Sequence, residues 1–334
     1  NAKKIANYLN TDHTSHICTK NDALEIIPKL LETFTEPFGD SSQIPTMLVS
    51  KIASKKVKVV LSGDAGDEIF GGYNRYIFAN KYWKLIDLVP FNLRKKLVKI
   101  AYLFPNKLLS KILLFSNISK ILSGSFEKRI DKILSKLETI DSKFSFYNSL
   151  TREWNNNSNL MKFNHTKFDN FENLFSKSSF LSFEEAMMRV DFETYMTDDI
   201  LCKVDRSSMY YSLETRSPYL NTNLIEYIYS LPLNYKIRNG ESKWLLKKIL
   251  SKYLPNELYH RPKQGFGVPI GEWMKGELKN WVNDNLSREI CNKHHFFNYD
   301  IIKKTKDEHF SGKFNHEHKL WSLIQFNQWY QNNI

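Results

Sequence analysis

The spacing of apolar residues predicts that the first part of the chain alternates helices and strands. Residues 57–61, VKVVL, are a short β-branched run that predicts a buried strand. Residues 23–36 and 44–54 place apolar side chains on one helical face, and residues 16–19 predict a further short strand. Helices and strands in this order are typical of a parallel α/β layer.

Beyond residue 80 the pattern becomes helical. Residues 82–136 are Lys-rich and helical in pattern, whereas residues 151–183 are rich in Asn, Ser and Phe and predict an irregular connection. Four further helices are predicted, over 183–209, 222–230, 241–253 and 320–330. The pattern therefore predicts an α/β lobe followed by a mostly helical lobe.

The composition is that of an ordinary globular protein, with 334 residues of which 42% are hydrophobic and 25% charged. The three cysteines fit neither a metal-binding spacing nor a disulfide framework, which predicts a reducing, cytoplasmic environment. No apolar run is long enough to span a bilayer.

The net charge of +12 favours anionic ligands. Much of the excess lies within residues 81–136, which we interpret as a solvated basic helical surface. The basic residues are not interleaved with aromatic residues, and no nucleic-acid-binding motif is present. We therefore expect neither a nucleic acid nor a membrane as partner.

The strand predicted at 57–61 leads into the most informative stretch of the chain. Ser62-Gly63 ends the strand, and Asp64, Asp67 and Glu68 follow within one helical turn. Open α/β sheets bind ligands at the carboxyl ends of their strands, and carboxylates there can hold a Mg²⁺ ion that bridges to phosphate. The alternative is a capped surface helix without chemistry.

Three later segments combine charged residues with turn signals. They are 197–206 (TDDILCKVDR), 213–220 (LETRSPYL) and 261–269 (RPKQGFGVP). Each allows a structural interpretation: an exposed helical ion-pair set in the first, a buried structural Glu–Arg pair in the second and a surface lysine in the third. The nine histidines lack the partners of a metal site.

Four motifs of the chain resemble those of the synthetase domain of glutamine-dependent asparagine synthetases of the bacterial B type, and of their wider amidotransferase family. They are SGDxGDExFGGY, DDxLxKVDRxSM, LETRxPYL and RPKxGFGVPIGEW. The resemblance implies an α/β fold with a parallel-sheet, ATP-pyrophosphatase-like layer (adenine nucleotide alpha hydrolase-like), incomplete at its N-terminus. A mostly helical lobe follows. Within one domain over 1–334, we expect a nucleotide-binding part at 1–80, a helical, irregular insertion at 81–182 and a helical part at 183–334 that completes the cleft.

The activity implied by this resemblance is ATP-dependent amidation of aspartate to asparagine. A β-aspartyl-adenylate forms and pyrophosphate leaves, and ammonia then displaces AMP. ATP and Mg²⁺ are the implied cofactors, and aspartate and ammonia are the implied substrates. The resemblance equally allows an amidotransferase that acts on another carboxylate, such as a sugar acid in surface-polysaccharide synthesis. A non-catalytic basic binding protein is the third hypothesis.

The resemblance also assigns roles to residues near the first motif. Leu61, Ser62 and Gly63 match the backbone that contacts ATP. Asp67 matches the Mg²⁺ ligand, and Asp64 matches an acid required for adenylate formation, where many relatives carry Glu.

The later motifs supply the remaining matches. Lys263 matches the lysine that binds ATP and neutralises the adenylate and pyrophosphate. Lys203, Asp205 and Arg206 match the helix that lines the amino-acid side of the cleft. Glu214 matches a carboxylate that could orient the incoming ammonia.

Two parts of the family pattern are not found in this sequence. One is the N-terminal glutaminase domain with its nucleophilic cysteine, and the other is a Ser-Gly-Gly-x-Asp-Ser pyrophosphate loop. We therefore predict that the chain is truncated, that a glutaminase domain lies upstream as its partner, and that the chain alone is inactive. The sequence allows a homodimer and does not determine the oligomeric state.

Overall fold

A computed structural model describes residues 2–104, 126–154, 159–163, 170–260 and 265–334. The described residues are mostly helical. The elements before residue 105 are α1 (Ala2–Tyr8), α2 (Lys20–Ile26), α3 (Leu30–Thr33), α4 (Gln43–Ala53), β1 (Val59–Leu61), α5 (Gly66–Phe70), α6 (Asn74–Asp87) and α7 (Phe91–Ala101).

The middle of the chain adds helices and the second strand. These elements are α8 (Phe126–Thr139), α9 (Lys143–Thr151), α10 (Asn170–Lys177), α11 (Phe183–Glu193), a π-helix (Met196–Leu201), α12 (Cys202–Met209) and β2 (Glu214–Arg216).

The remainder is helical. It comprises α13 (Thr222–Ser230), α14 (Trp244–Leu250), α15 (Asn256–Tyr259), α16 (Ile270–Lys275), α17 (Lys279–Asn285), α18 (Arg288–Lys293), α19 (Tyr299–Phe310) and α20 (Glu317–Asn333), with short 3₁₀ turns at Ile27–Lys29, Pro218–Leu220 and Leu233–Tyr235.

A parallel pair of strands is the only sheet among the described residues, and it joins distant parts of the chain. β1 pairs with β2 in a register that places Val59 opposite Glu214 and Leu61 opposite Arg216. The predicted strand at 16–19 is wrong, because Ile17 is 84% exposed in a segment without strand pairing. The parallel pairing agrees with the predicted parallel layer, and β2 is a strand that the sequence pattern did not predict.

The expectation of a buried strand at 57–61 is also wrong. β1 is shorter than predicted, and Val59 and Leu61 are 49% and 76% exposed. Among the described residues β1 pairs only with β2, so its side chains are not covered by the neighbouring strands and helices that usually bury a parallel sheet.

Two predicted helices are interrupted. The helix predicted over 23–36 begins earlier, at Lys20, where Thr19 caps it, and Pro28 breaks it into a 3₁₀ turn because proline lacks the N–H of a continuous helix. The region 183–209 divides into α11, the π-helix and α12, with a non-helical backbone at Thr194. π-Helical turns are frequent at functional sites.

The largest core cluster joins the N-terminal helices to the C-terminal ones. It contains Ile26, Leu30 and Met47 from the first part of the chain, together with Met274 and Trp321 from the last. α4, which borders the site described below, is thus supported by helices that lie more than 200 residues further along the chain.

A second cluster joins α6, α9 and α11 around a buried carboxylate. Asp191 is 1% exposed and accepts hydrogen bonds from the hydroxyls of Tyr76 and Tyr147, the latter at 2.7 Å. Arg75 donates to the same carboxylate from Nε at 2.9 Å and lies 4.1 Å above the ring of Tyr73. This network fixes the start of α6.

Candidate active site

The turn after β1 holds Asp64 in place from both strands. The hydroxyl of Ser62 donates to the Asp64 carboxylate at 2.7 Å, and the hydroxyl of Ser217 donates to the Asp64 carbonyl at 2.7 Å. The backbone N–H of Ser62 continues the sheet by donating to the carbonyl of Arg216 at 2.8 Å. The carboxyl ends of β1 and β2 therefore meet at Asp64.

Ala65 reverses the chain into α5. It is buried and has a left-handed backbone with φ 70°, which is unfavourable for a residue with a Cβ atom. Such strained positions concentrate at functional sites. The reversal places Asp64 before α5 and Asp67 within its first turn.

Asp67 forms an ion pair that the sequence motifs do not indicate. Its Oδ1 lies 2.9 Å from Nζ of Lys243, which precedes α14 and has a left-handed backbone with φ 53°. A Cβ atom on Gly72 would lie 1.9 Å from this carboxylate oxygen and 2.3 Å from Cε of Lys243. Only glycine at this position leaves space for the pair.

Mg²⁺ was predicted to bind at Asp67, at the turn after β1. The described part of the chain contains no cluster of three or more His, Cys, Asp or Glu side chains that could hold a metal. Mg²⁺ is usually bound by one or two carboxylates together with waters and substrate phosphates. Asp67, with Asp64 close in sequence and in the same cavity wall, fits such a shared site and does not form an all-protein cage.

A cavity of about 820 Å³ lies at the carboxyl end of β1. Ser62, Asp64 and Asp67 line one side of it, and Asp40 and Lys203 also line it. Its size lies within the range of small-molecule sites, and its position is where α/β sheets bind ligands.

Lys203 lies between two carboxylates at the edge of this cavity. Its side chain is 10% exposed, and its Nζ pairs with Asp40 and, at 3.1 Å, with Asp199. The hydroxyl and the backbone N–H of Ser42 also donate to Asp40. The group carries one net negative charge when both carboxylates are ionised.

The pKa values of the two carboxylates shift in opposite directions. For Asp199, burial outweighs the attraction of Lys203 and raises the pKa to about 6. For Asp40, burial also raises the pKa, but the charge of Lys203 and the hydrogen bonds from Lys203 and Ser42 leave the pKa below its ordinary value. Asp199 is therefore the carboxylate of the group that gains a proton most readily as the pH falls.

Tyr73 forms part of the cavity wall beside Asp67. Its hydroxyl donates to Glu68, which is 1% exposed and whose pKa is raised by burial. Its ring contacts that of Tyr195, another lining residue, with 6.0 Å between centroids.

The residues predicted to contact ATP lie at this strand end. Leu61 and Ser62 line the cavity, and Gly63 follows them in the turn, where a Cβ atom would meet nothing within 4 Å. Of the predicted amino-acid side, Lys203 lines the cavity, whereas Asp205 and Arg206 are exposed and are not among the described lining residues.

Glu214 and Arg216 are paired, but they are not buried. Their side chains are 48% and 70% exposed and pair with each other along β2, so the structural alternative of a buried pair is wrong. Because side chains alternate along a strand, Thr215 lines the cavity and Glu214 is not among the described lining residues. Lys263 lies outside the described residues.

Four further residues of the site were not predicted from the sequence: Asp40, Asp199, Tyr195 and Lys243. Asp199 lies inside a segment that was singled out, so its position next to Lys203 on a helical face was a usable signal. Lys243 precedes a helix with two further lysines, and nothing in the sequence distinguishes it from them.

Together, these features define an α/β protein with a polar cleft at the carboxyl end of parallel strands. The sequence model of the asparagine synthase family, Asn_synthase, matches residues 1–331. The chain belongs to this family.

Named relatives cover the same region. An asparagine synthetase (glutamine-hydrolysing) 1 of Bacillus subtilis (strain 168) is 29% identical over 333 residues, covering 100% of this chain and 50% of the relative. A provisionally named asparagine synthetase (glutamine-hydrolysing) of Mycobacterium tuberculosis (strain ATCC 25618 / H37Rv) is 28% identical over 327 residues, covering 95% and 46%. The chain spans about half the length of these curated relatives.

Proposed function

We propose that this chain is the synthetase part of a glutamine-dependent asparagine synthetase and that its cleft activates the side-chain carboxylate of aspartate with ATP. The observation that carries the proposal is the arrangement of Asp64, Asp67 and Lys243 at the carboxyl end of β1, beside a cavity large enough for a nucleotide. Family membership supports it.

The proposed reaction has two steps. A carboxylate oxygen of the substrate attacks the α-phosphorus of ATP, the bond to the β-phosphate oxygen breaks, and pyrophosphate leaves. Ammonia then attacks the acyl carbon, AMP leaves with the bonding electron pair, and a proton is lost from nitrogen. The first step brings anions together, so cationic side chains at the cleft lower its barrier.

Lys243 contacts the acidic turn, with its Nζ 2.9 Å from Oδ1 of Asp67. In the free protein it neutralises Asp67, and with nucleotide bound it can pair with a phosphate oxygen instead. Asp67 would hold Mg²⁺, whose chemistry is to neutralise phosphate charge. Lys263 is proposed as a second phosphate-neutralising cation on the strength of its motif.

Asp64 is proposed to act in adenylate formation, since both strand ends fix its position at the cavity. Lys203 is proposed to face the carboxylate substrate. Asp205, Arg206 and Glu214 keep their proposed roles only if the bound state brings their exposed side chains to the cleft. Ammonia is proposed to come from the upstream glutaminase domain.

The test measures binding and turnover separately. Titration calorimetry of the chain with ATP and Mg²⁺ should show binding that Asp67→Asn weakens at least tenfold, with Asp284→Asn as an exposed control. Equal binding by both variants would contradict the assignment of Asp67.

Pyrophosphate release should then be compared with aspartate and with a uronic acid, each with ammonium. Release with aspartate, by the chain joined to its upstream half, supports the proposal. Release with only the uronic acid would replace aspartate by a sugar acid, and ATP binding without release in either case would favour a non-catalytic role.

A further inference from the structure

α7 carries an exposed apolar stripe that the cleft does not use. Leu93, Leu97 and Ile100 follow one another at helical spacing and are 50%, 49% and 51% exposed. Leu88 and Leu103, just outside the helix, are 75% and 81% exposed.

This stripe is separate from the buried face of the same helix. Arg94 and Val98 are buried, and Val98 packs in a cluster with Ile130 and Leu134 of α8. The Arg94 guanidinium donates to the carbonyl of Ile86 at 2.7 Å, which fixes the rotation of α7. The exposed stripe is therefore a second apolar face of an anchored helix.

Lysines accompany the stripe. Lys95, Lys96 and Lys99 are exposed on the third face of α7. From residue 88 to residue 104 the sequence contains no Asp or Glu and four Lys or Arg residues. We call the exposed side chains of Leu93, Leu97, Ile100, Lys95, Lys96 and Lys99 the basic apolar surface.

We propose that the basic apolar surface docks the protein onto an anionic phospholipid bilayer. A helix with one apolar face and a lysine-rich polar face lies in the interface of such a bilayer, where aliphatic side chains enter the acyl boundary and lysines reach the headgroups. The absence of acidic residues over this stretch complements a negative surface. The proposal replaces two of our expectations, a solvated basic surface and the lack of a membrane partner, and does not depend on the proposed enzymatic function.

A nucleic acid explains the same residues less well. Its phosphates would use the lysines, but the aliphatic stripe would gain nothing from contact with a phosphate backbone. Of these two partners, only a lipid interface would use both the leucines and the lysines.

The docking surface connects to the cleft through α6. This helix starts next to Tyr73 in the cavity wall and ends at Asp87, so its 14 residues span about 21 Å. The bilayer would thus lie about one helix length from the start of α6.

The experiment is flotation of the 334-residue chain with vesicles of phosphatidylcholine alone and of phosphatidylcholine with about 30% phosphatidylglycerol, an anionic lipid. We expect flotation with the anionic vesicles only. Each lysine contributes roughly fivefold to partitioning, so Lys95→Gln/Lys96→Gln should weaken it about 30-fold. Leu93→Gln/Leu97→Gln should abolish it.

The controls place a double Lys→Gln change and a single aliphatic→Gln change at other exposed helix positions. Lys303→Gln/Lys304→Gln and Ile249→Gln should float like the unchanged chain. Thermal unfolding confirms that each variant is folded. No flotation of the unchanged chain, or equal loss in the controls, would overturn the proposal.

Two further outcomes would show that the surface binds a partner other than a bilayer. Sedimentation that shows a dimer dissociated by the leucine changes would assign the surface to a second copy. Vesicle binding displaced by single-stranded DNA, and insensitive to the leucine changes, would assign it to a nucleic acid.

Discussion

Single residues of the cleft differ in how well the sequence identified them. The positions of Asp64 and Asp67 at the cavity could be predicted, because both residues follow a strand end, where α/β sheets bind ligands, and belong to a dense motif. Asp40 and Lys243 could not, since their significance arises from contacts with Lys203 and Asp67 that only the fold creates. Contacts between residues that lie far apart in the chain cannot be recognised from the local sequence around either residue.

Gly72 is expected to be intolerant of any side chain. Gly72→Ala would place a methyl group 1.9 Å from the Asp67 carboxylate, so the Asp67–Lys243 pair must separate. We expect destabilisation of about 1–3 kcal/mol and at least tenfold weaker ATP binding. Urea unfolding and calorimetry measure the two effects.

Gly63→Ala is the control for unfolding, because its added methyl group would meet nothing within 4 Å. A Gly72→Ala protein as stable as Gly63→Ala would show that the pair is easily rearranged.

The raised pKa of Asp199 predicts how the free energy of unfolding depends on pH. Because its folded-state pKa is raised from 3.8 to about 6, the folded state binds the proton more tightly than the unfolded state. The free energy of unfolding should therefore fall as pH rises between about 4 and 6, and Asp199→Asn should remove this part of the decline.

Urea unfolding at intervals from pH 4 to pH 7 measures this slope. Asp198→Asn, at the neighbouring exposed position, is the matched control and should keep the slope of the unchanged chain. Parallel curves for both variants would mean that Asp199 titrates normally.

Among the elements, strongly patterned helices were predicted best and the sheet worst. α13 has the predicted bounds, 222–230, because Asn221 caps it and Pro232 follows closely. β2 has only three residues, Glu-Thr-Arg, and no apolar alternation to indicate a strand. The pairing of such a strand is decided by tertiary contacts.

The buried network between α6, α9 and α11 should dominate the stability of this helical layer. Asp191→Ala leaves two buried tyrosine hydroxyls and the partly buried Arg75 without their acceptor, which should cost about 3–5 kcal/mol. Glu193→Ala, which breaks only a partly exposed pair with Arg189, should cost no more than about 1 kcal/mol. Denaturant unfolding of both variants tests the difference, and similar losses would contradict it.

At the scale of the whole molecule, the two ends of the chain share one core. The sequence indicated an α/β part and a helical part, but it carried no signal that α2 to α4 pack on α16 to α20. Whether the expected parts 1–80, 81–182 and 183–334 behave as units stays a prediction. Helix patterns show which face is buried and leave the identity of the covering helix open.

Trp321 tests this shared core. It is fully buried, and its ring lies 5.9 Å from that of Trp281. Trp321→Ala should cost about 3–5 kcal/mol and, by loosening the support of α4, should also increase hydrogen exchange near Asp40. Tyr227→Ala, at a 60% exposed position, should do neither. Increased exchange confined to α20 would show that the two ends are not coupled.

The pairing of β1 with β2 also has a consequence during synthesis. Val59 leaves the ribosome long before Glu214, its partner in the sheet, has been made. The turn that holds Asp64 therefore cannot reach its final form until more than half of the chain has been translated, and the partially exposed β1 lacks its β2 partner throughout that interval. Ribosomes stalled before residue 214 should present nascent chains that bind chaperones at this strand, and chains stalled well beyond residue 217 should not.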